Sequence, residues 1–432
     1  MKIAVGKHPG SMVSHLDYMM KRRWWLWVVL WVMGTVGQLL GAPHGAREVE
    51  ASPRRAVVGY FPQWGVYSDP RFLVKTLVTN GDAGLLDQVN YAQGSVAGGR
   101  CSVADANADL NVAFKAEESV DGRADADGFR GNFHQIEELK RRYPKLKVLI
   151  SLEGRAANFA EDALPENRER FAASCVDLFV RGNFGAGVRR PELFDGIDLD
   201  WEYPREGDAA NFLALLKEMR RQMDAVRPGL RLTIAVGPSL RMYPGTDMAA
   251  VAKLVDQIGV MNYDYNGPWN GTTGFLAPLM GDPTEDHGGT VERSIAAYRE
   301  AGAPTSKLLM GMPFYGYGWS GVGEENHGLY QDGKGIRGDR PYWYIESLGQ
   351  GFEHYRDERS GAPWMYDGKT LWTYEDPVSA DKKGRYARQQ ALGGVMIWEL
   401  SGDTVDGELL KAVRRGVDGV EAVKRGGGRA RR

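Results

Sequence analysis

The chain has little cysteine, no histidine-rich motif and no excess of positive charge, and each shortage removes a class of protein. Two cysteines in 432 residues cannot staple a disulfide-dense scaffold, and the spacing of Cys101 and Cys175 fits no structural zinc site. No glycine-rich phosphate loop opens a helical stretch, and no loop has the ligand spacing of a magnesium or calcium site. Neither a metal nor a cofactor is expected. The formal net charge of −2 hides an uneven distribution. Residues 1–55 carry 8 Lys+Arg against 3 Asp+Glu, residues 411–432 carry 8 against 2, and residues 56–410 carry 38 against 51. A body near −13 repels a phosphate backbone, so no nucleic-acid partner is expected; a neutral, cationic or sugar-like ligand is compatible with it. What is present, 43% hydrophobic and 25% charged residues, is an ordinary globular composition with enough apolar material for a large core.

Lys21, Arg22 and Arg23 precede an uncharged apolar run, Trp24 to Met33, and then small and polar residues to Ala46. That order reads as a secretory signal, approximately residues 1–51, with cleavage after Ala42 or Ala51. Gly34, Thr35, Gly37, Gln38, Pro43 and His44 dilute the second half, so a transmembrane anchor is the weaker alternative. The expectation is a secreted protein, extracellular or periplasmic, monomeric and free of the membrane after cleavage. Residues 411–432, ending GGGRARR, read as a basic tail.

Eight short apolar runs mark the body. They begin at Ala56 (AVVGYF), Leu86 (LDQVNYA), Lys147 (KVLISL), Phe194 (FDGIDLDWE), Arg231 (RLTIAV), Gln257 (QIGVMNY), Lys307 (KLLMGMPF) and Gly393 (GGVMIWEL). Helical patterns such as 211–226 and 291–301 lie between several of them. The alternation predicts an α/β fold, a closed (β/α)8 TIM barrel over residues 56–410. Between Phe314 and Leu392 about eighty residues lie where one helix would do. They are rich in Tyr, Trp and Gly, and residues 318–388 read as a small α+β insertion between strands 7 and 8.

The segment DGIDLDWEYP, Asp195 to Pro204, carries the chemistry. Side chains alternate along a strand, so Asp198, Asp200 and Glu202 share one face while Ile197, Leu199 and Trp201 share the other. Barrel interiors are ordinarily filled by branched apolar residues. Three acids there repel one another and lose hydration, which predicts one carboxyl held protonated near neutral pH, the state a general acid needs. A solvated acidic strand or a divalent-metal cluster is the alternative. Asp195, at the start of the motif, reads as structural.

This motif resembles the active-site signature of family 18 glycoside hydrolases, the bacterial chitinases and their relatives. GYFPQWGVY (59–67), MNYDYNGPW (261–269), GMPFYGYGW (311–319) and GGVMIWELSGD (393–403) resemble the family's first, sixth, seventh and eighth strands in order. The resemblance implies hydrolysis of β-1,4-N-acetylglucosaminide bonds by a retaining, substrate-assisted mechanism. Glu202 would be acid and base, Asp200 would orient the acetamido N–H, Asp198 would share a proton with Asp200, and Tyr263 would donate to the acetamido oxygen. It further implies Trp398 as the floor under the reacting sugar and Trp269 on the leaving side, with Met261, Asp264, Tyr315 and Tyr60 as further cleft residues; Trp64 reads equally as core or cleft. Cys101 and Cys175 resemble a bacterial subgroup in which such cysteines pair. The implied partner is chitin or N-acetylglucosamine oligosaccharides, with endo action favoured, and no separate chitin-binding module is expected.

Two departures from the family pattern stand out. Its third strand usually ends Ser-x-Gly-Gly followed by an aromatic, whereas this chain reads Ser151, Leu152, Glu153, Gly154, Arg155, with a short loop to Asn158 and Phe159. Tyr317 stands where an arginine is usual. Both imply altered leaving-side binding with the catalytic acid retained. An endo-β-N-acetylglucosaminidase or cell-wall hydrolase, and a non-catalytic chitin-binding relative, are the competing readings.

Overall fold

The computed structural model describes residues 54–420 apart from 127, 186 and 282–288. The export signal assigned to 1–51 lies outside the described residues. All eight apolar runs form strands: β1 (Ala56–Pro62), β2 (Gln88–Ala97), β3 (Lys147–Gly154), β4 (Gly196–Asp200), β5 (Arg231–Val236), β6 (Gln257–Val260), β7 (Leu308–Pro313) and β8 (Gly394–Trp398). They pair in parallel in chain order, β8 pairs with β1, and β1 pairs with β2, which closes the (β/α)8 barrel. A short strand, Arg100–Val103, extends β2 as an antiparallel hairpin.

Helices α1 (Gly131–Arg142), α2 (Arg168–Cys175), α3 (Ala209–Val226), α4 (Met248–Leu254), α5 (Val291–Glu300), α6 (Pro377–Gln389) and α7 (Glu408–Asp418) follow β2 to β8 in turn. Between β1 and β2 the α-helix is reduced to one turn, Thr76–Thr79. In α3 the buried residues are Phe212, Leu215, Leu216, Met219 and Met223, the three-and-four spacing that lays one apolar stripe against a sheet. Helix α6 starts sharply because Pro377 needs no amide partner and Asp376 accepts from the amides of Val378 and Ser379.

The pleat sorts the barrel into two environments. Ile197, Leu199, Ile234, Val260, Met310 and Ile397 point outward into the helix-facing core. Inside, one half is apolar, built from Val58, Leu309, Met396 and Met261. The half formed by β2 to β5 is polar. There the Arg231 guanidinium donates to Gln88 Oε1 at 2.6 Å, and Gln88 Nε2 donates to Asn90 Oδ1 at 2.7 Å. Gly311 on β7 faces inward, where a Cβ would lie 2.4 Å from the Val260 carbonyl oxygen, so the strands there approach too closely for a side chain.

The expected insertion is an antiparallel sheet with its own core of Trp319, Leu329, Trp364, Tyr366 and Leu371. Its strands are Tyr315–Ser320, Lys334–Gly335, Arg340–Pro341, Glu353–Arg356, Pro363–Tyr366 and Thr370–Thr373. Two boundaries differ from the sequence reading. The insertion does not run to residue 388, because α6 (377–389) buries Ala380, Tyr386 and Ala387 in the barrel's outer core. Nor does the tail start at 411: residues to Asp418 belong to α7, which buries Leu409, Leu410, Ala412, Val413 and Val417. The many Arg and Lys codes in that stretch masked its apolar stripe; Arg414 itself is buried and pairs with Asp87 at 2.8 Å.

Cys101 and Cys175 form a disulfide across a sequence separation of 74, joining the β2 hairpin to the end of α2. Closing a loop of that length stabilises by about 4 kcal/mol in the chain-entropy account. Replacing both cysteines by serine is expected to lower the denaturant-derived unfolding free energy by about that amount. Titration of the denatured, unreduced protein should find no thiol; two reactive thiols would rule the bond out.

Candidate active site

Asp198 lies at the middle of the barrel interior and is fully buried. Its Oδ2 accepts from the Tyr60 hydroxyl at 2.7 Å and from Ser151 Oγ at 2.9 Å, and its Oδ1 accepts from Thr233 Oγ1. Ser151 and Thr233 stand beside it in register on β3 and β5, so three neighbouring strands converge on one carboxyl. Burial raises its pKa, and the hydrogen bonds from Thr233, Tyr60, Ser151 and Asn90 oppose that rise. Asp198 is thus the carboxyl of the motif that hydroxyls solvate.

Asp200, one pleat nearer the C-terminal rim, lacks such help. Its Oδ1 is buried and has no hydrogen-bond partner. Burial, then the nearby Glu202, Asp198 and Glu153, push its pKa well above the ordinary carboxylate range. Its surroundings oppose its charged form without a hydrogen bond in return. Glu202 follows just beyond the strand, with its side chain open to the groove. The groove walls strip enough water to raise its pKa; a hydrogen bond from Tyr203 opposes this, and the charges of Glu153 and Asp264 add to it. A carboxyl that is reachable by solvent yet holds its proton more tightly than usual is equipped to donate it.

These groups open into a groove of about 1100 Å³ at the C-terminal ends of the strands. Trp398, Met261, Tyr263, Asp264 and Tyr315 line it with Asp200 and Glu202, so six of the expected site residues meet Glu202 in one place. Tyr263 is buried, and burial raises its pKa well above the usual tyrosine value; it is a hydroxyl donor at neutral pH. Tyr315 donates to Asp264 Oδ1 at 2.6 Å. Trp64 also lines the groove, 6.3 Å from the Trp398 ring.

Two expected cleft residues are placed otherwise. Tyr60 does not reach the groove: it is buried behind Trp398, 5.3 Å between rings, and serves Asp198. Its hydroxyl finds a better partner inside, where an anion needs donors. Trp269 is not in the groove lining; it stands exposed beside the groove, 59% accessible, edge-on to Tyr317 at 5.2 Å. Asp195 is structural as expected, bridging Lys140 at 2.9 Å and Lys147 at 3.3 Å.

Other residues went unnoticed in the sequence. Ser151 and Thr233 were discoverable as lone hydroxyls at inward positions of apolar strands. Trp343, from the insertion, lines the groove, while Trp364, Tyr366 and Trp372 are buried in cores; density of aromatics alone does not separate these. Glu399 lines the groove, half-buried, where desolvation pushes its pKa up to about 7 despite hydrogen bonds from Ser401. Glu153 pairs in register with Asp200 and faces the groove. Phe159, the next aromatic, is buried and stacks on Trp201 at 5.5 Å, outside the barrel, so it offers no platform to a ligand. The groove lining carries nine Asp and Glu against Arg71 and Lys411. Among the described residues no group of three or more His, Cys, Asp or Glu is arranged to hold a metal ion, and no helix is long and apolar enough to cross a membrane.

Comparison with known proteins agrees with this geometry. The profile described as Glycosyl hydrolases family 18 matches residues 56–403. Over 382 residues the chain is 34% identical to chitinase 63 of Streptomyces plicatus, covering 83% of this chain and 60% of that protein. It is 34% identical over 373 residues to chitinase C of Streptomyces lividans, covering 81% and 58%. The chain thus spans about 60% of the length of these curated relatives. The catalytic domain of the psychrophilic chitinase B from Arthrobacter TAD20 matches with a TM-score of 0.77 and 31% identity, over 84% of this chain and 95% of that one. A family 18 N-acetylglucosaminidase from Paenibacillus barengoltzii matches with a TM-score of 0.67 and 29% identity, over 84% and 99%.

The environment of Asp200 has a thermodynamic consequence. Its folded-state pKa lies above the unfolded value, so the carboxyl favours folding below the unfolded value, about 3.9, and that contribution is lost as pH rises toward the folded value. Asp200→Asn is neutral throughout and does not suffer this loss. Its stability relative to wild type is expected to grow with pH, by on the order of 1 kcal/mol or more at neutrality. Unfolding titrations from acid to neutral pH test this; a difference independent of pH would contradict the raised pKa of Asp200.

Proposed function

Because the chain belongs to the glycosyl hydrolases of family 18, we propose that it is an exported chitinase that cleaves β-1,4-linked N-acetylglucosamine polymers with retention of configuration. The observation that supports this most is the buried, unpartnered Oδ1 of Asp200 beside the solvent-reachable Glu202. A buried acceptor without a donor costs free energy that a ligand N–H recovers. An N-acetyl sugar carries that N–H two bonds from its reacting carbon, and this family is an exception to the rule that a second enzyme carboxylate acts as nucleophile.

In this reading the reacting sugar rests on Trp398, its C–H face against the indole. Its acetamido N–H donates to Asp200, and Tyr263 donates to the acetamido oxygen. Glu202 gives its proton to the glycosidic oxygen as the acetamido oxygen bonds to the anomeric carbon, and the bond to the leaving sugar breaks with its electron pair going to that oxygen. The product is a cyclic oxazolinium. Asp200 passes its proton to Asp198 below it as this cation forms, and the carboxylate left behind offsets the cation's charge. Glu202, now a carboxylate, takes a proton from water while the water oxygen bonds to the anomeric carbon and the ring oxygen leaves. Two displacements restore the original configuration. Asp198 keeps Asp200 in place from below rather than acting on the sugar.

Glu202→Gln removes both proton-transfer roles, and turnover of chito-oligosaccharides is expected to fall by roughly 10³-fold or more with ligand affinity kept; turnover near wild type would remove Glu202 from the mechanism. Nuclear magnetic resonance of the first product should show the β-anomer. A thiazoline analogue of the cyclic intermediate should inhibit, and a fully deacetylated oligomer should resist cleavage. Initial release of the α-anomer would overturn substrate assistance, and cleavage of glycoprotein glycans but not of chitin would reassign the enzyme as an endo-β-N-acetylglucosaminidase.

A further inference from the structure

Two groove carboxyls close to the acid pair have no role in the proposed reaction, Asp264, which accepts from Tyr315, and Glu153, which has no partner among the described residues. Glu153 sits on β3 directly beside Asp200, is exposed to the groove, and has no hydrogen-bond or ion-pair partner among the described residues. The two basic side chains of the lining are engaged elsewhere: Arg71 pairs with Glu118 at 2.6 Å, and Lys411 donates to the Asp406 carbonyl. Glu153 is near enough to Glu202 and Asp200 to act on both electrostatically. The next aromatic in the chain, Phe159, does not cover this flank, because it is buried against Trp201. The flank therefore presents a bare, uncompensated negative charge within reach of the bond that Glu202 would protonate.

A neutral acetylated sugar gains little from such a charge, whereas an ammonium group gains a Coulomb attraction in a partly water-excluded groove. The reacting sugar must keep its acetamide, and its place is taken by Trp398, Tyr263 and Asp200. Glu153 stands beside Asp200 and acts on Glu202, and the departure from the family pattern at the end of β3 implies that the unit facing it is the neighbour on the leaving side. We propose that Glu153 is a specificity-determining residue that selects a sugar with a free, protonated 2-amino group in that neighbouring position, so that the groove prefers partially N-deacetylated chitin to the fully acetylated polymer. The inference rests on the hydrolase reading above and deepens it. The excess of acids over bases around the groove acts in the same direction at longer range, by concentrating cationic chains at its mouth.

The test uses the whole protein and a set of chito-pentaoses, one fully acetylated and the others carrying a single glucosamine at each position in turn. The pH is held where the amine is protonated and the enzyme is active. Wild type is expected to cut most rapidly where the free amine falls on the leaving side of the broken bond, with kcat/KM about five- to tenfold above the fully acetylated oligomer, the range of a single partly shielded ion pair. That ratio should shrink as salt is raised. In Glu153→Gln it should fall to near one, and Glu153→Asp should retain part of it. A merely structural role would lower both rates together and leave the ratio alone. An unchanged ratio in Glu153→Gln, or a wild-type ratio of one at low salt, overturns the proposal while leaving the hydrolase reading intact. Failure of wild type to cut any oligomer overturns both.

Discussion

The burial of Asp198 is the constraint around which the rest of the site is arranged. A carboxylate in the middle of a barrel is stable only if donors replace its lost water. Here the donors come from β1, β3 and β5 as Tyr60, Ser151 and Thr233. The closed sheet makes this possible, since parallel strands in fixed register bring hydroxyls from sequence positions far apart to the two sides of β4. Hydrogen bonds to a charged group are each worth roughly 1.5–3 kcal/mol, which is the scale needed to offset desolvation. With its oxygens so occupied, Asp198 is the carboxyl whose charged form the fold supports, whereas burial and the neighbouring acids oppose the charged form of Asp200.

From that one arrangement the gradient across the groove follows. At the bottom lies a carboxyl solvated by hydroxyls, above it a buried carboxyl with an unpartnered acceptor oxygen, and at the top a carboxyl open to solvent whose pKa is raised by its surroundings. A barrel interior that is polar on the β2 to β5 side and apolar on the β6 to β8 side holds this gradient against rigid packing. The proposed chemistry uses each level differently: the hydroxyl-solvated carboxyl positions, the unpartnered acceptor orients the substrate amide, and the exposed acid moves the proton.

The insertion and the disulfide act at the periphery. The insertion contributes Tyr317, Asp339, Pro341 and Trp343 to the groove from a sheet with its own apolar core, so the wall is held by packing rather than by loop order. The disulfide ties the β2 hairpin to the end of α2, next to the strand that carries Glu153. Site residues thereby stand on elements anchored outside the groove, as precise positioning of acids requires.

Much of this was legible in the sequence, for identifiable reasons. Short apolar runs recurring between helical patterns announced all eight strands, and period-two alternation put Asp198, Asp200 and the outward-facing Ile197 and Leu199 on their observed faces, because a strand's side-chain directions are a local property. The motif's resemblance to a family brought Tyr263, Met261, Asp264, Tyr315 and Trp398 to the same groove. Local pattern had no means of saying that Tyr60 turns its hydroxyl inward to Asp198, or that Trp269 stands outside the lining while Trp343 enters it. Nor did it show that basic residues 411–418 are a packed helix. Those are questions of which distant atoms supply a donor or exclude water. The sequence alone determined which residues face into the barrel; only tertiary structure decided which carboxyl is solvated by hydroxyls and which is left without a partner, because those depend on donors that distant strands bring together.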